Sequence, residues 1–276
     1  MNAINTILTQ LAGFFLSPFA SRPLLGLLFW SVVAGVLMTF AFGKTSSQQS
    51  LKRAADQTRS ELLAIKLFKD DLGVVFRSQI GIFKATGLRL FHSLPPMLVL
   101  IIPFVLILSQ LGLRYENRPF LPGEIVLVEL SLSESSWNQY RNVKIKVPAH
   151  IVVETEAMRD EYNHAVYWRL RSKESGHGTL TWTIGGEDVK KQIIVADDPN
   201  QLVLINARRP GTNLLDRLLY AGEPAFGKDS SVRSIGLDCQ KRSTQILGLN
   251  FPWWGTFFVV SMVSALLVRR LLGVQF

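Results

Sequence analysis

Three uncharged apolar stretches decide what this chain can become: residues 24–42, 95–113 and, roughly, 247–268. Crossing about 30 Å of hydrocarbon takes about 20 helical residues at about 1.5 Å each, and all three stretches meet that length. Apolar runs this long without Asp, Glu, Lys or Arg mark membrane spans rather than buried core helices. The whole chain is 48% apolar with a mean hydropathy of +0.23, so the segments between the spans are polar enough to fold in water.

Charge sets the sidedness. The connection 44–94 carries nine basic residues (Lys44, Lys52, Arg53, Arg59, Lys66, Lys69, Arg77, Lys84 and Arg89) against Asp56, Glu61, Asp70 and Asp71. The longer connection 114–250 carries eighteen basic and seventeen acidic residues, and Arg269 and Arg270 follow the third stretch. The positive-inside rule then places 44–94 and the C-terminus in the cytoplasm, and the N-terminus and 114–250 outside it, with Arg22 the one dissenting charge. The expected localisation is the bacterial cytoplasmic (inner) membrane, multi-pass. The first 22 residues repeat apolar side chains at helical spacing (Ile4, Ile7, Leu8, Leu11, Phe14, Phe15 and Phe19), as an interfacial helix does.

Within 44–94, Leu51, Ala55, Thr58, Leu62 and Ile65 step by four and three, as do Phe76, Ile80, Phe83, Gly87 and Leu90. Two such seams separated by 69–73 predict an antiparallel coiled-coil hairpin, with Asp70 or Asp71 capping the second arm. One long helix, or two helices lying flat on lipid, remain the alternatives. Pro95 and Pro96 begin the second span, and Pro103 removes a hydrogen bond within it.

Residues 114–250 change character. Alternating or β-branched runs occupy 124–132, 143–147, 151–154, 165–171, 179–184 and 189–195, divided by turn residues such as Pro122-Gly123 and Gly185-Gly186. Six short strands at this spacing predict an immunoglobulin-like β-sandwich over 114–198, with Trp168 and Trp182 as core anchors. An extension over 199–246 contains a short amphipathic helix at 213–220 and a strand at 231–237. Trp253 and Trp254 fit the outer aromatic belt as interface anchors. The expected fold class is therefore an α+β membrane protein: spans at 23–43, 95–113 and 247–270, a cytosolic helical hairpin, and an extracytoplasmic immunoglobulin-like β-sandwich.

No phosphate-binding loop, HExxH or GxSxG occurs. One cysteine, Cys239, excludes an intrachain disulfide. His150, His164 and His177 have no ligand spacing, and the acidic run of Glu154, Glu156, Asp160 and Glu161 reads as a solvated loop. No catalytic residue, metal or cofactor is expected. A pI near 9.8 reflects the cytoplasmic insert and retention by anionic lipid rather than nucleic acid.

The order of span, basic hairpin, span, outer domain and span resembles the YidC and Oxa type membrane-protein insertase superfamily. The resemblance covers about 45–113 and the third span. It implies a hydrophilic groove that receives a client's polar segment and a hairpin that recruits clients; the groove would be lined by Ser31, Thr39, Lys44, Ser109, Gln110, Ser261 and Ser264. Residues 67–71 (LFKDD), Arg118-Pro119 and Gly123-Glu124 are also similar to a group of bacterial three-span inner-membrane proteins, a likeness that carries no activity with it. Two further readings stay open: an envelope scaffold whose β-sandwich binds a protein partner, and a ligand-binding receptor or enzyme. The expected partners are the lipid bilayer and membrane-protein clients or other proteins.

Overall fold

The computed structural model describes residues 2–246 and 249–274, with backbone alone for 2–6, 245–246 and 249. In chain order the elements are α1 (Asn2–Leu16), a 3-10 turn (Ser17–Phe19), α2 (Pro23–Thr45), α3 (Gln48–Leu67), α4 (Leu72–Tyr115), β1 (Ile125–Leu132), α5 (Glu134–Trp137), β2 (Ile145–Lys146), β3 (Ile151–Val153), β4 (Met158–Asp160), β5 (Ala165–Ser172), β6 (Gly176–Ile184), β7 (Glu187–Val195), β8 (Arg208–Arg209), α6 (Leu214–Leu219), β9 (Val232–Leu237), β10 (Thr244–Ile246), β11 (Leu249–Phe251) and α7 (Trp253–Val268). They form two units: Met1–Leu27 with Leu106–Gly255, and Leu28–Val105 with Thr256–Phe276.

The first unit is built on antiparallel sheets. One follows the order β3-β5-β1-β9-β8, with β4 also paired to β5, and a second follows β2-β6-β7. On β1 the alternation of Val126, Val128 and Leu130 sends one face inward, each fully buried. Leu180, Trp182, Ile184, Ile193 and Val195 of the smaller sheet join the same core cluster, and the Trp168 and Trp182 rings lie 6.0 Å apart. The β6–β7 turn holds Gly185 at φ +62° and Gly186 at φ +84°, the paired left-handed conformation a two-residue hairpin requires. The six expected strands correspond to β1, β2, β3, β5, β6 and β7, and 231–237 to β9.

The third apolar stretch departs from expectation. Its helix begins at Trp253 and has 16 residues, a length of about 24 Å. Upstream, β10 and β11 pair as a hairpin; Leu247 and Gly248 lie outside the described residues. Pro252 supplies the reason, because the residue before proline is disfavoured in helical conformation and Phe251 stays extended. Among the described residues two helices are long and apolar enough to cross a membrane, α2 with 23 residues and α4 with 44.

The second unit is helical. The α3–α4 turn is capped by Asp71, whose Oδ1 accepts from the Gly73 and Val74 amides at 2.9 and 3.1 Å. Beyond the turn, α4 runs unbroken through Pro95, Pro96 and Pro103, so one helix carries both the second arm and the second span. The contact face of the arms differs from the expected seam. Of the expected seam Leu51 is buried, in a cluster with Phe42 and Val274. Ala54 is also buried on α3, Ser78 and Ala85 on α4, and a Cβ on Gly81 would lie 2.6 Å from the Glu61 carboxyl carbon. Ala55 and Ile65 are half-buried, whereas Leu62, Phe76, Ile80, Phe83 and Leu90 are exposed. Gly81, without a Cβ, makes room for the Glu61 carboxyl, and the large apolar side chains of α4 stay exposed.

Candidate functional site

The helical unit is organised by small residues. Ser31, Gly35, Thr39 and Gly43 recur at every fourth position of α2 and therefore share a face. A Cβ on Gly35 would lie 2.4 Å from the Ser261 carbonyl oxygen of α7, and one on Gly43 would lie 2.6 Å from Val274. Thr39 Oγ1 donates to the Gly35 carbonyl at 2.8 Å, and Ser264 Oγ donates to the Val32 carbonyl at 3.2 Å. This is the small-residue packing by which helices associate without a hydrophobic driving force between them.

Beside the seam lies an apolar groove of about 530 Å³, walled by α2, α4 and α7. Met38, Met97 and Met262 line it, with Leu94, Phe104 and Phe258. Unbranched thioether side chains repack around irregular apolar shapes at little cost. The groove continues a longer feature of α4. Phe76, Ile80, Phe83, Leu90, Leu94, Met97 and Ile101 are all exposed, and with Gly87 they step by four and three along the helix. One apolar stripe thus runs from the hairpin turn into the groove.

Of the seven residues expected to line a polar groove, only Ser261 faces this one, and its hydroxyl donates to the Phe258 carbonyl at 3.1 Å. Ser31, Thr39 and Ser264 are buried. Lys44 is exposed, 5.8 Å from the Phe40 ring centroid. Ser109 and Gln110 belong to the other unit: Ser109 donates to the Leu218 carbonyl, and the buried Gln110 side-chain oxygen has no partner among the described residues.

The sheet unit is held by charges on short tethers. Arg118 meets Glu124 at 2.6 and 3.0 Å, and Glu124 also accepts from the Leu121 amide at 2.9 Å. The Arg118 hydrogen bond holds the Glu124 carboxyl below its usual range. This clamp closes the loop before β1 and accounts physically for the Arg118-Pro119 and Gly123-Glu124 pairs noted in the sequence. Deeper in, Lys191 is fully buried, 2.6 Å from Glu223, whose other oxygen accepts from the Gln192 amide at 2.7 Å. Burial lowers the Lys191 ammonium despite that partner, and burial lifts the neighbouring Cys239 thiol to about 12. Glu154, in the acidic run, is bound by Arg169 and Arg171.

Two amphipathic helices attach to the end of α4 in this unit. Arg114 donates to the Thr9 carbonyl of α1 at 3.0 Å, and Ser109 holds α6 through Leu218. Both helices expose apolar residues, Ile7, Leu11, Phe14 and Phe15 on α1 and Leu214, Leu215 and Leu219 on α6. Trp253 is buried against Gly112, and Trp254 is exposed.

No family model matches this chain, and no curated protein or solved structure is similar to it. The groove-lining Met38, Met97 and Met262 were not singled out by polarity or motif. The nearest sequence signal is the recurrence of small residues at every fourth position of α2, of which Gly35 also lines the groove.

Proposed function

We propose that this chain is a non-enzymatic assembly factor of the bacterial inner membrane, which receives apolar segments of client membrane proteins along α4 and holds them in the methionine-lined groove. The observation that carries this reading is the continuity of the stripe from Phe76 to Ile101, exposed at every large apolar position. In this reading α7 and its flanks form the third span. The hairpin is cytosolic, as the surplus of basic residues in 44–94 requires, and clients meet Phe76, Ile80 and Phe83 first. The two-sheet lobe is immunoglobulin-like and lies outside, supported by the core that both sheets share.

The kinship with YidC and Oxa type insertases is carried over in topology and hairpin placement. The groove differs in chemistry, since an apolar groove retains a hydrophobic helix rather than easing a polar segment through hydrocarbon. Photo-crosslinkers placed at Phe83, Leu90 and Met97 in the full chain test the reading. Adducts with newly made membrane proteins at all three positions are expected, with Phe83→Asp and Leu90→Asp reducing those formed at Met97. Lipid adducts alone at every position would refute it. Capture of one resident partner, lost on deleting 124–198, would favour the scaffold reading instead.

A further inference from the structure

The start of α2 borders a cavity of about 620 Å³ in the sheet unit. Its walls include Ser21, Arg22, Tyr115, Arg242, Ser243 and Thr244, and no acidic side chain is among them. Two polar atoms of these walls, Arg242 Nε and the Tyr115 hydroxyl, have no partner among the described residues. Arg242 is 9% exposed; two of its nitrogens donate to the Asn200 and Gln201 carbonyls at 3.0 and 2.9 Å, and its Nε has no partner among the described residues. Tyr115 is 1% exposed, and its hydroxyl is likewise unpartnered. A buried donor in that state calls for an acceptor, water or an anion.

The helix end adds to this. α2 is 23 residues long, and after Pro23, which has no N–H, the Leu24 and Leu25 amides lie in the first turn, where no intrahelical acceptor exists, at the positive end of the helix dipole. Such termini are ready anion sites. Arg22 stands exposed immediately before that turn, and the exposed Ser243 adds a hydroxyl on the opposite wall. Two guanidinium groups, buried hydroxyls and a helix N-terminus, with apolar Leu24, Leu25 and Leu27 alongside, make a site for an amphiphilic anion.

We propose that this cavity binds a phosphate oxyanion, the chemistry common to a phospholipid headgroup and a free phosphate. The anion sits between Arg22 and Arg242 and accepts from the Tyr115 hydroxyl and the first turn of α2. Since α2 is a span, its first turn marks the depth where phospholipid phosphates lie. A lipid headgroup with its glycerol against Leu24 and Leu25 is therefore the occupant the site fits best. This inference is independent of the assembly-factor reading.

The test uses the full chain in neutral detergent. Native mass spectrometry reads retention of phosphatidylglycerol against diacylglycerol, and thermal unfolding reads stabilisation by inorganic phosphate. Phosphatidylglycerol is expected to be retained and diacylglycerol lost. Arg22→Ala and Ser243→Asp, both at exposed positions, should each weaken retention about tenfold, and Tyr115→Phe less, because it removes a single uncharged donor. Tyr115→Phe keeps the buried ring, so its effect reads the hydroxyl and not the fold. Stabilisation by millimolar phosphate without lipid retention would support the site with a soluble anion as its source. Binding of neither probe, or binding unchanged in Arg22→Ala and Ser243→Asp together, would overturn the proposal.

Discussion

The sheet unit and the helical unit bury polar groups in opposite ways. In the sheet unit an ammonium, a carboxylate and guanidinium groups go inside and are held by named partners, Lys191 by Glu223 and Arg242 by two backbone carbonyls. In the helical unit the buried hydroxyls of Thr39 and Ser264 donate to helix carbonyls. The first arrangement is unforgiving: among the ion pairs of the described residues Lys191 and Glu223 are each other's only opposite charge, and removing one leaves the other in a low dielectric with backbone hydrogen bonds alone. The second tolerates change, because a hydroxyl bonded to a helix carbonyl is replaceable and the adjoining groove is lined by flexible methionines.

Mutations should separate the two regimes. The largest effect is expected for Glu223→Ala, which leaves Lys191 buried and unpaired and should destabilise the lobe by about 3–5 kcal/mol in denaturant unfolding followed by near-UV circular dichroism. Replacing both partners together, with Lys191→Met and Glu223→Leu, should recover most of that loss; no recovery would mean the pair is not the cause. Next, Gly35→Leu forces a side chain against the Ser261 carbonyl and should cost about 3 kcal/mol, at the upper end for overpacking. Its signature is faster proteolysis within α2 and α7 while the tryptophan spectrum of the lobe holds.

Glu124→Gln should cost about 1.5 kcal/mol at neutral pH, the lower range for a hydrogen bond to a charged group. The pH dependence has a definite sign. The folded carboxyl titrates below its usual 4.5, so its contribution is complete above that value and fades as the pH falls through the folded pKa. The gap between wild type and Glu124→Gln should therefore close in acid; a gap constant down to the acid limb would refute the clamp. The smallest effect is expected for Ser264→Ala, about 0.6 kcal/mol, the average for hydrogen bonds between membrane helices.

Much of the fold was legible from periodicity. The strands of the sheet unit announce themselves through alternation, and turns such as Gly185-Gly186 through residues that only a left-handed backbone requires. The two long apolar helices follow from length alone. The hairpin arms and their Asp71 cap were also readable, but the contact face was not. Apolar bulk at heptad spacing singles out Phe76, Ile80 and Phe83, whereas the buried positions of this arm are the small Ser78 and Ala85, with Gly81 close to Glu61 of the other arm. Hydropathy carried the third stretch through 247–252, although Pro252 holds the clue to its later start. Polarity likewise pointed to Ser31 and Thr39 as groove residues, while their spacing with Gly35 and Gly43 marks them as packing residues. The Lys191–Glu223 pair joins positions 32 apart on two elements and had no local signature at all.

The sidedness proposed for this chain underlies the client path, and it has a direct test. Cys239 is half-buried, and its replacement by serine gives a background without other thiols. Lys66→Cys and Lys190→Cys place new thiols at exposed positions of the hairpin and the sheet unit. Treated with a membrane-impermeant maleimide on intact spheroplasts, K190C should label fully and K66C only after lysis. Labelling of K66C with protection of K190C in unbroken spheroplasts would contradict the account.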